Sequence, residues 1–224
     1  MEKNLDFNFK GKRIVFLDYN SNSYAKKNID LPVEKELSLV YSGGVVVERQ
    51  YPEASLACML EFAELCERHK SHFHLYPREY NEEVYADYID LDKHNNYFHF
   101  HRPVPFADLY QEISQYDYAV IPVRDNVFES EVDGYYTRQK MLYAGTNKLF
   151  DFVAAGLPII AVSPKCLTDY FGEQDIVIKW TMGQIDFEEL KSKLHEMKCK
   201  VLEKQHYFSM DAHIDELINF YHAL

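Results

Sequence analysis

Three polar side chains within five residues could together hold an anionic, hydroxylated ligand. They are Asn147, Lys148 and Asp151, in the stretch TNKLFDFVAAGLPIIA. The apolar spacing of residues 147–156 is helical, and Gly156 ends the pattern as helix-terminal glycines do. Asn147 can cap that helix, whose first amides then meet a phosphate or a hydroxyl. Lys148 adds positive charge at the same end. Asp151, placed in the first helical turn and one turn after Asn147 and Lys148, can accept hydrogen bonds from ribose hydroxyls; the plain alternative is an acid favoured by the helix dipole. Ala154, Ala155 and Gly156 let the helix end pack tightly, and Pro158 restarts the chain as a strand. A second candidate is Gly43–Gly44, at the end of an apolar run and ahead of a helical one. Glycine there lets backbone approach a ligand closely, and a following helix aims its amides at an anion; by itself the pair reads equally well as a tight turn. Arg49 follows shortly, as a cation near such a phosphate or as an ordinary solvated arginine. No G-x-G-x-x-G is present, so a bare dinucleotide site is not indicated.

Other chemistry is poorly represented. His99 and His101 share one face of a strand in FHFH, but no third ligand stands at a recognisable spacing, so no metal is expected. Cys58, Cys66, Cys166 and Cys199 form no C-x-x-C pair and no disulfide framework; Cys58 and Cys66 read as buried small apolar residues, and a reducing compartment is expected. The net charge of −12 argues against nucleic acid, which needs a basic face, and against general adsorption to an anionic membrane. The N-terminal MEKNLDFNFKGKRIVF holds no long apolar run, so no signal peptide is expected, and no segment reaches bilayer-spanning length. The 18 tyrosines and 15 phenylalanines supply core and interface area.

Elements that alternate strand and helix must position these residues. Strands are expected over 13–19, 37–44, 72–77, 97–105 and 118–123, then in PIIAVSP and DIVIKW. Helices are expected over 51–70, 81–94, 106–117, 147–156 and 186 to about 205, and from Ser209 or Asp211 to the C-terminus. Polar residues 20–35 and the stretch 124–146 read as irregular. The pattern predicts an α/β, Rossmann-like three-layer sandwich with a mostly parallel sheet of about six strands. Ligands in such folds sit beyond the carboxyl ends of the strands, which directs attention to 42–50, 102–105, 123–146 and the start of helix 147–156.

LVYSGGVVVERQ, FHFHRPVPFADLYQEISQYDYAVIPV and TNKLFDFVAAGLPIIAV resemble, in that order, the C-terminal, nucleotide-sugar donor domain of GT-B glycosyltransferases. The similarity is nearest to the family 4 retaining enzymes and covers nearly the whole chain after about Ser38. It implies a single GT-B half-domain, with a lead-in over 1–36, the donor-binding domain over 37–208 and a C-terminal crossing helix over 209–224. Gly43, Gly44, Arg49, Asn147 and Lys148 would hold the donor diphosphate, Asp151 the ribose, and Arg102 and Pro103 the base, largely through backbone. The implied reaction is hexosyl transfer from an NDP-sugar to a glycan or lipid-linked glycan acceptor, with the nucleoside diphosphate as leaving group and no cofactor or metal.

The chain departs from the family in three places. Asp151 stands where the family has glutamate. Tyr143 stands at the first acid of the E-x7-E motif, with Glu129 and Glu131 nearby as candidate sugar-contacting substitutes; no catalytic residue is assigned. The N-terminal acceptor domain, the expected partner, is not in these 224 residues, so the fragment alone is expected to be inactive. A cytoplasmic setting in polysaccharide assembly is expected, with peripheral attachment to the inner membrane face through the absent domain as an option. The alternatives are a non-catalytic GT-B-like domain that binds a nucleotide or a partner, and another GT-B-fold enzyme such as an epimerase or phosphorylase, the last without a local pyridoxal-phosphate lysine signature.

Overall fold

A computed structural model describes residues 14, 17, 19–28, 36–45, 58–124, 142 and 147–224. Its centre is a six-stranded sheet of β1 (Ser38–Gly43), β2 (His72–Pro77), β3 (Phe98–Phe100), β4 (Tyr118–Val120), β5 (Ile159–Ile160) and β6 (Val177–Ile178). The order is β3-β2-β1-β4-β5-β6 and every pairing is parallel. The expected α/β parallel sheet is therefore present. This order switches direction between β1 and β4, where doubly wound sheets open a crevice at their carboxyl edge.

Burial explains the strand sequences. Ser38 to Tyr41 of β1, all of β4 and both residues of β5 are buried, as expected of strands covered on both faces. Side-chain alternation divides the core in two. Val40, Ala119 and Ile159 join one cluster, and Leu39, Tyr41, Tyr118, Val120 and Ile160 the other. The first face is covered by α3 (Phe106–Ile113), α4 (Asn147–Ala154) and α5 (Lys165–Gly172); the second by α1 (Met59–Arg68) and α2 (Ala86–His94). The long helix α6 (Phe187–Lys204) serves both, Phe187 and Leu190 entering one cluster and Val201 the other. Its start is fixed by Asp186, whose carboxylate accepts from the Glu188 and Glu189 amides at 3.0 and 3.1 Å. The final helix α7 (Met210–His222) buries none of its residues and leaves Ile218, Tyr221 and the following Leu224 exposed.

Several boundaries differ from the sequence pattern. The strand expected over 97–105 leaves the sheet after Phe100; Pro103 and Pro105 lack the N–H a ladder requires. Helix 81–94 begins at Ala86, and helix 106–117 ends at Ile113. The strand expected over 13–19 lies mostly outside the described residues, and residues 14, 17 and 19 belong to no strand. Helix α5 was not expected. It is only eight residues long, and its Cys, Thr, Tyr and Phe have weak helix propensity, so burial of Leu167, Thr168 and Phe171 is what holds it. Cys58 and Cys66 are free and buried as expected, and burial pushes the Cys66 thiol well above its ordinary range.

Candidate functional site

A cleft of about 650 Å³ opens at the carboxyl end of the sheet, beside the switch point. Ser42, Gly43 and Gly44 line it from β1, and Tyr76, Pro77 and Arg78 from the end of β2. Val104, Phe106 and Leu109 line it from the β3–α3 connection, and Asn147, Lys148 and Asp151 from the start of α4. The glycine pair and the polar trio are thus brought together from opposite sides, more than 100 residues apart in sequence.

Gly43 has φ +141°, a backbone conformation that L side chains rarely adopt. A β-carbon there would lie 2.3 Å from Lys148 Cε and 3.0 Å from Nζ, so the lysine stem occupies the space the missing side chain leaves. The ammonium also lies 5.4 Å from the centre of the Tyr41 ring. Burial lowers the Lys148 pKa, and Asp151 works against that shift. The Tyr41 hydroxyl donates to Gly44 O at 2.7 Å, and the Arg78 amide donates to Gly43 O at 3.0 Å. The glycine loop is therefore fixed from both flanks.

Helix α4 begins at Asn147, which puts Asp151 on the second turn. That corrects its expected place in the first turn, and the dipole explanation of this acid weakens accordingly, because the dipole effect fades beyond the first turn. Its environment is specific instead. Asn20 Nδ2 and the Tyr110 hydroxyl donate to Asp151 Oδ1 at 2.7 and 2.8 Å. Tyr110 stacks on Tyr24 at 4.8 Å, and burial first, then Asp151, raises its pKa. Asn20 and Tyr24 lie in the polar stretch that the sequence pattern leaves irregular. The far end of α4 closes as the sequence indicates. Gly156 has φ +76°, its amide donates to Val153 O, and the Leu157 amide donates to Phe152 O, both at 2.9 Å. Gln205 Nε2 donates to the carbonyls of Lys26, Val153 and Ala154 at 2.8, 3.0 and 3.2 Å.

The remaining expected residues divide. Arg49, Glu129, Glu131 and Tyr143 lie outside the described residues. Arg102 does not line the cleft; its guanidinium lies over the Tyr80 ring at 4.4 Å and 3.8 Å from Glu82. Pro103 does not line it either, whereas Val104 and Phe106 do, and Phe106 is 58% exposed. Arg78 was not singled out from sequence. Among the described residues, it and Lys148 are the basic side chains that line the cleft. Its position directly after strand 72–77 was the available signal.

Beside the cleft, Tyr76 is held by a polar network. Its hydroxyl lies 2.6 Å from that of Tyr116 and donates to Glu112 Oε1 at 2.7 Å. Burial pushes the Tyr116 phenol up to about 12. The His101 ring stacks on Tyr76 at 4.1 Å, so of the FHFH pair His101 adjoins the cleft wall. Burial first, then a neighbouring histidine, lowers the pKa of both His99 and His101.

The chain shares its fold with a known glycosyltransferase. AviGT4, a glycosyltransferase involved in avilamycin A biosynthesis, matches with a TM-score of 0.59 at 11% identity, over 93% of this chain and 57% of that one. The pneumococcal O-GlcNAc transferase GtfA, solved with UDP and GlcNAc, matches at a TM-score of 0.45 and 14% identity, over 91% of this chain and 37% of that one; so weak a likeness carries no weight here. The chain thus spans little more than half the length of AviGT4. No protein-family model and no curated protein matches the sequence. The glycosyltransferase fold expected from the three motifs is supported by the AviGT4 match. No helix among the described residues is long and apolar enough to cross a membrane.

Proposed function

We propose that the chain is the donor-binding domain of a retaining, family 4-like hexosyltransferase and holds the nucleoside-diphosphate part of an NDP-sugar in this cleft. The observation that carries the reading is the convergence of Lys148, Asn147 and Asp151 at the start of α4 on the Gly43–Gly44 turn across the cleft. The diphosphate approaches the backbone at Gly44, where a β-carbon would meet nothing within 4 Å, and meets the α4 amides and the Lys148 ammonium beside Gly43. Arg78, and Arg49 by its likeness to the family's basic residue, add charge that stabilises the departing diphosphate. Asp151 Oδ1 is already committed to Asn20 and Tyr110, so this pair orients the carboxylate towards the ribose. The exposed Phe106 ring and Val104 offer the base an apolar wall beside the 102–105 backbone.

On this reading residues 37–208 bind the donor, the helix from 209 contacts an N-terminal acceptor domain outside this sequence, and that domain completes the catalytic cleft. The setting is the cytoplasmic side of polysaccharide or lipid-linked glycan assembly. The test is calorimetry of the purified chain with UDP, GDP, ADP and their sugars. One of these series binds in a one-to-one ratio, and the diphosphate binds more tightly than its nucleoside. A folded sample that binds none of them refutes the proposal. A nucleotide-binding domain without catalysis is the second reading, favoured by Tyr143 in place of the first acid. Transfer activity of the whole protein separates the two.

A further inference from the structure

A second cluster runs from the amino end of β2 towards the cleft wall. His72 and His74 of β2 face the same way as His99 of β3 and the following His101, because the parallel register sets His74 beside His99. His72 Nδ1 is 2.9 Å from His99 Nε2, and His74 Nδ1 is 2.9 Å from His101 Nε2. The His74 and His99 rings stack at 4.4 Å. One ligating nitrogen from each of His72, His74 and His99 lies within 4.8 Å of the others, and all three rings are partly buried. On the outer side, His72 Nε2 is 3.1 Å from Glu36 Oε2.

We propose that His72, His74 and His99 bind one divalent transition-metal ion of the zinc class, with Glu36 orienting His72 from behind. Zinc takes imidazole nitrogens at about 2.0–2.1 Å in tetrahedral geometry, which places ligand nitrogens about 3.4 Å apart. The His72–His99 spacing of 2.9 Å lies below that value and the 4.8 Å limit of the trio above it, so ring rotations complete the site. In an imidazole pair 2.9 Å apart, one nitrogen donates a proton to the other's lone pair. Metal entry between His72 and His99 displaces that shared proton; the ring that carried it takes a proton from solvent on its other nitrogen, so both imidazoles bind neutral and the exchange releases no net proton. Glu36 then accepts from His72 Nε2–H and leaves Nδ1 for the ion, the carboxylate–histidine–metal arrangement that raises ligand basicity. Solvent supplies the fourth position. Expectation from sequence excluded a metal because only His99 and His101 were paired; strand pairing adds His72 and His74 from 25 or more residues away.

The site does not use the cleft-lining residues. His72 lies four positions before the cleft-lining Tyr76, about 13 Å along the strand, and His74 two positions before it. Its test reads metal binding without nucleotide and is therefore independent of the proposed donor binding. The tag-free chain, stripped with chelator, is titrated with Zn²⁺ against a chromophoric competitor. One ion binds per chain. His72→Gln and His99→Gln each weaken binding at least tenfold, and Glu36→Gln weakens it about tenfold or more. His94→Gln and His222→Gln, on exposed histidines elsewhere, leave it unchanged. Circular dichroism checks that the variants fold. Co²⁺ bound to the unaltered chain provides a measurement that needs no variant, through the intense visible bands of a four-coordinate ion. Sub-stoichiometric binding, affinity unchanged in folded His72→Gln and His99→Gln, or only the weak bands of six-coordinate Co²⁺ overturns the proposal.

Discussion

Replacing Gly43 by alanine separates a binding turn built around glycine from an ordinary loop. Two costs follow from the geometry. The backbone sits at φ +141°, and holding an L residue in such a region costs about 1–3 kcal/mol. The new methyl also meets Lys148 Cε at 2.3 Å, an impossible contact. The lysine stem is flexible, so it swings away instead of forcing the backbone apart. That relief removes the cation from the position it holds beside the glycine turn. The stability loss is therefore about 1–3 kcal/mol, and a chain of this size loses about 2–4 °C in Tm for each of these. Losing one charge-assisted contact of about 1.5–3 kcal/mol weakens diphosphate binding by about 10- to 150-fold. Gly44→Ala is the internal control for stability alone, because a β-carbon at Gly44 meets nothing within 4 Å and its φ lies outside the left-handed region; its methyl stands where the diphosphate approaches, so its binding is not the control. Thermal denaturation and calorimetry with the nucleoside diphosphate read the two effects on the same samples. If Gly43→Ala melts and binds like the parent, or Gly44→Ala melts as low as Gly43→Ala, the reasoning about this turn is wrong.

Arg78→Ala weakens nucleoside-diphosphate binding several-fold and leaves nucleoside binding unchanged; equal loss for both, by calorimetry, removes Arg78 from the phosphate site. Gln205→Ala strips a donor from three carbonyls at the end of α4 and lowers stability by about 1–3 kcal/mol in urea unfolding, without a change in nucleotide affinity. The Lys148 ammonium titrates below its ordinary 10.5 because burial penalises the charged form. An arriving diphosphate favours that charged form and raises the pKa again, so diphosphate affinity is full well below the free-state pKa and falls as pH rises through it. Calorimetry at stepped alkaline pH shows this decline in the parent chain and not in Lys148→Met; the same decline in both assigns it to another group.

The sequence by itself carried the layer architecture and part of the lining of the candidate cleft. Short buried strands such as the LVY of β1 read as doubly covered, because apolar and β-branched residues without alternation suit only a sheet packed on both faces. Gly156 marked the end of α4, because only a residue without a β-carbon takes its conformation easily. Asn147, Lys148 and Gly43 were visible as candidates because residue type alone gives them charge, donors or freedom. Their meeting across one cleft was not visible, and neither was the company each keeps. Asn20 and Tyr110 reach Asp151 from positions 131 and 41 residues away, Arg78 enters the cleft because β2 ends beside β1, and Arg102 turns instead to Tyr80 and Glu82. The histidine cluster shows the same limit, since period-two spacing sets the face of each strand but not which strands become neighbours. Local sequence sets conformation and chemical capacity through short-range sterics and periodicity. Strand order and register decide which capacities share a site, and they come from burying the whole core at once.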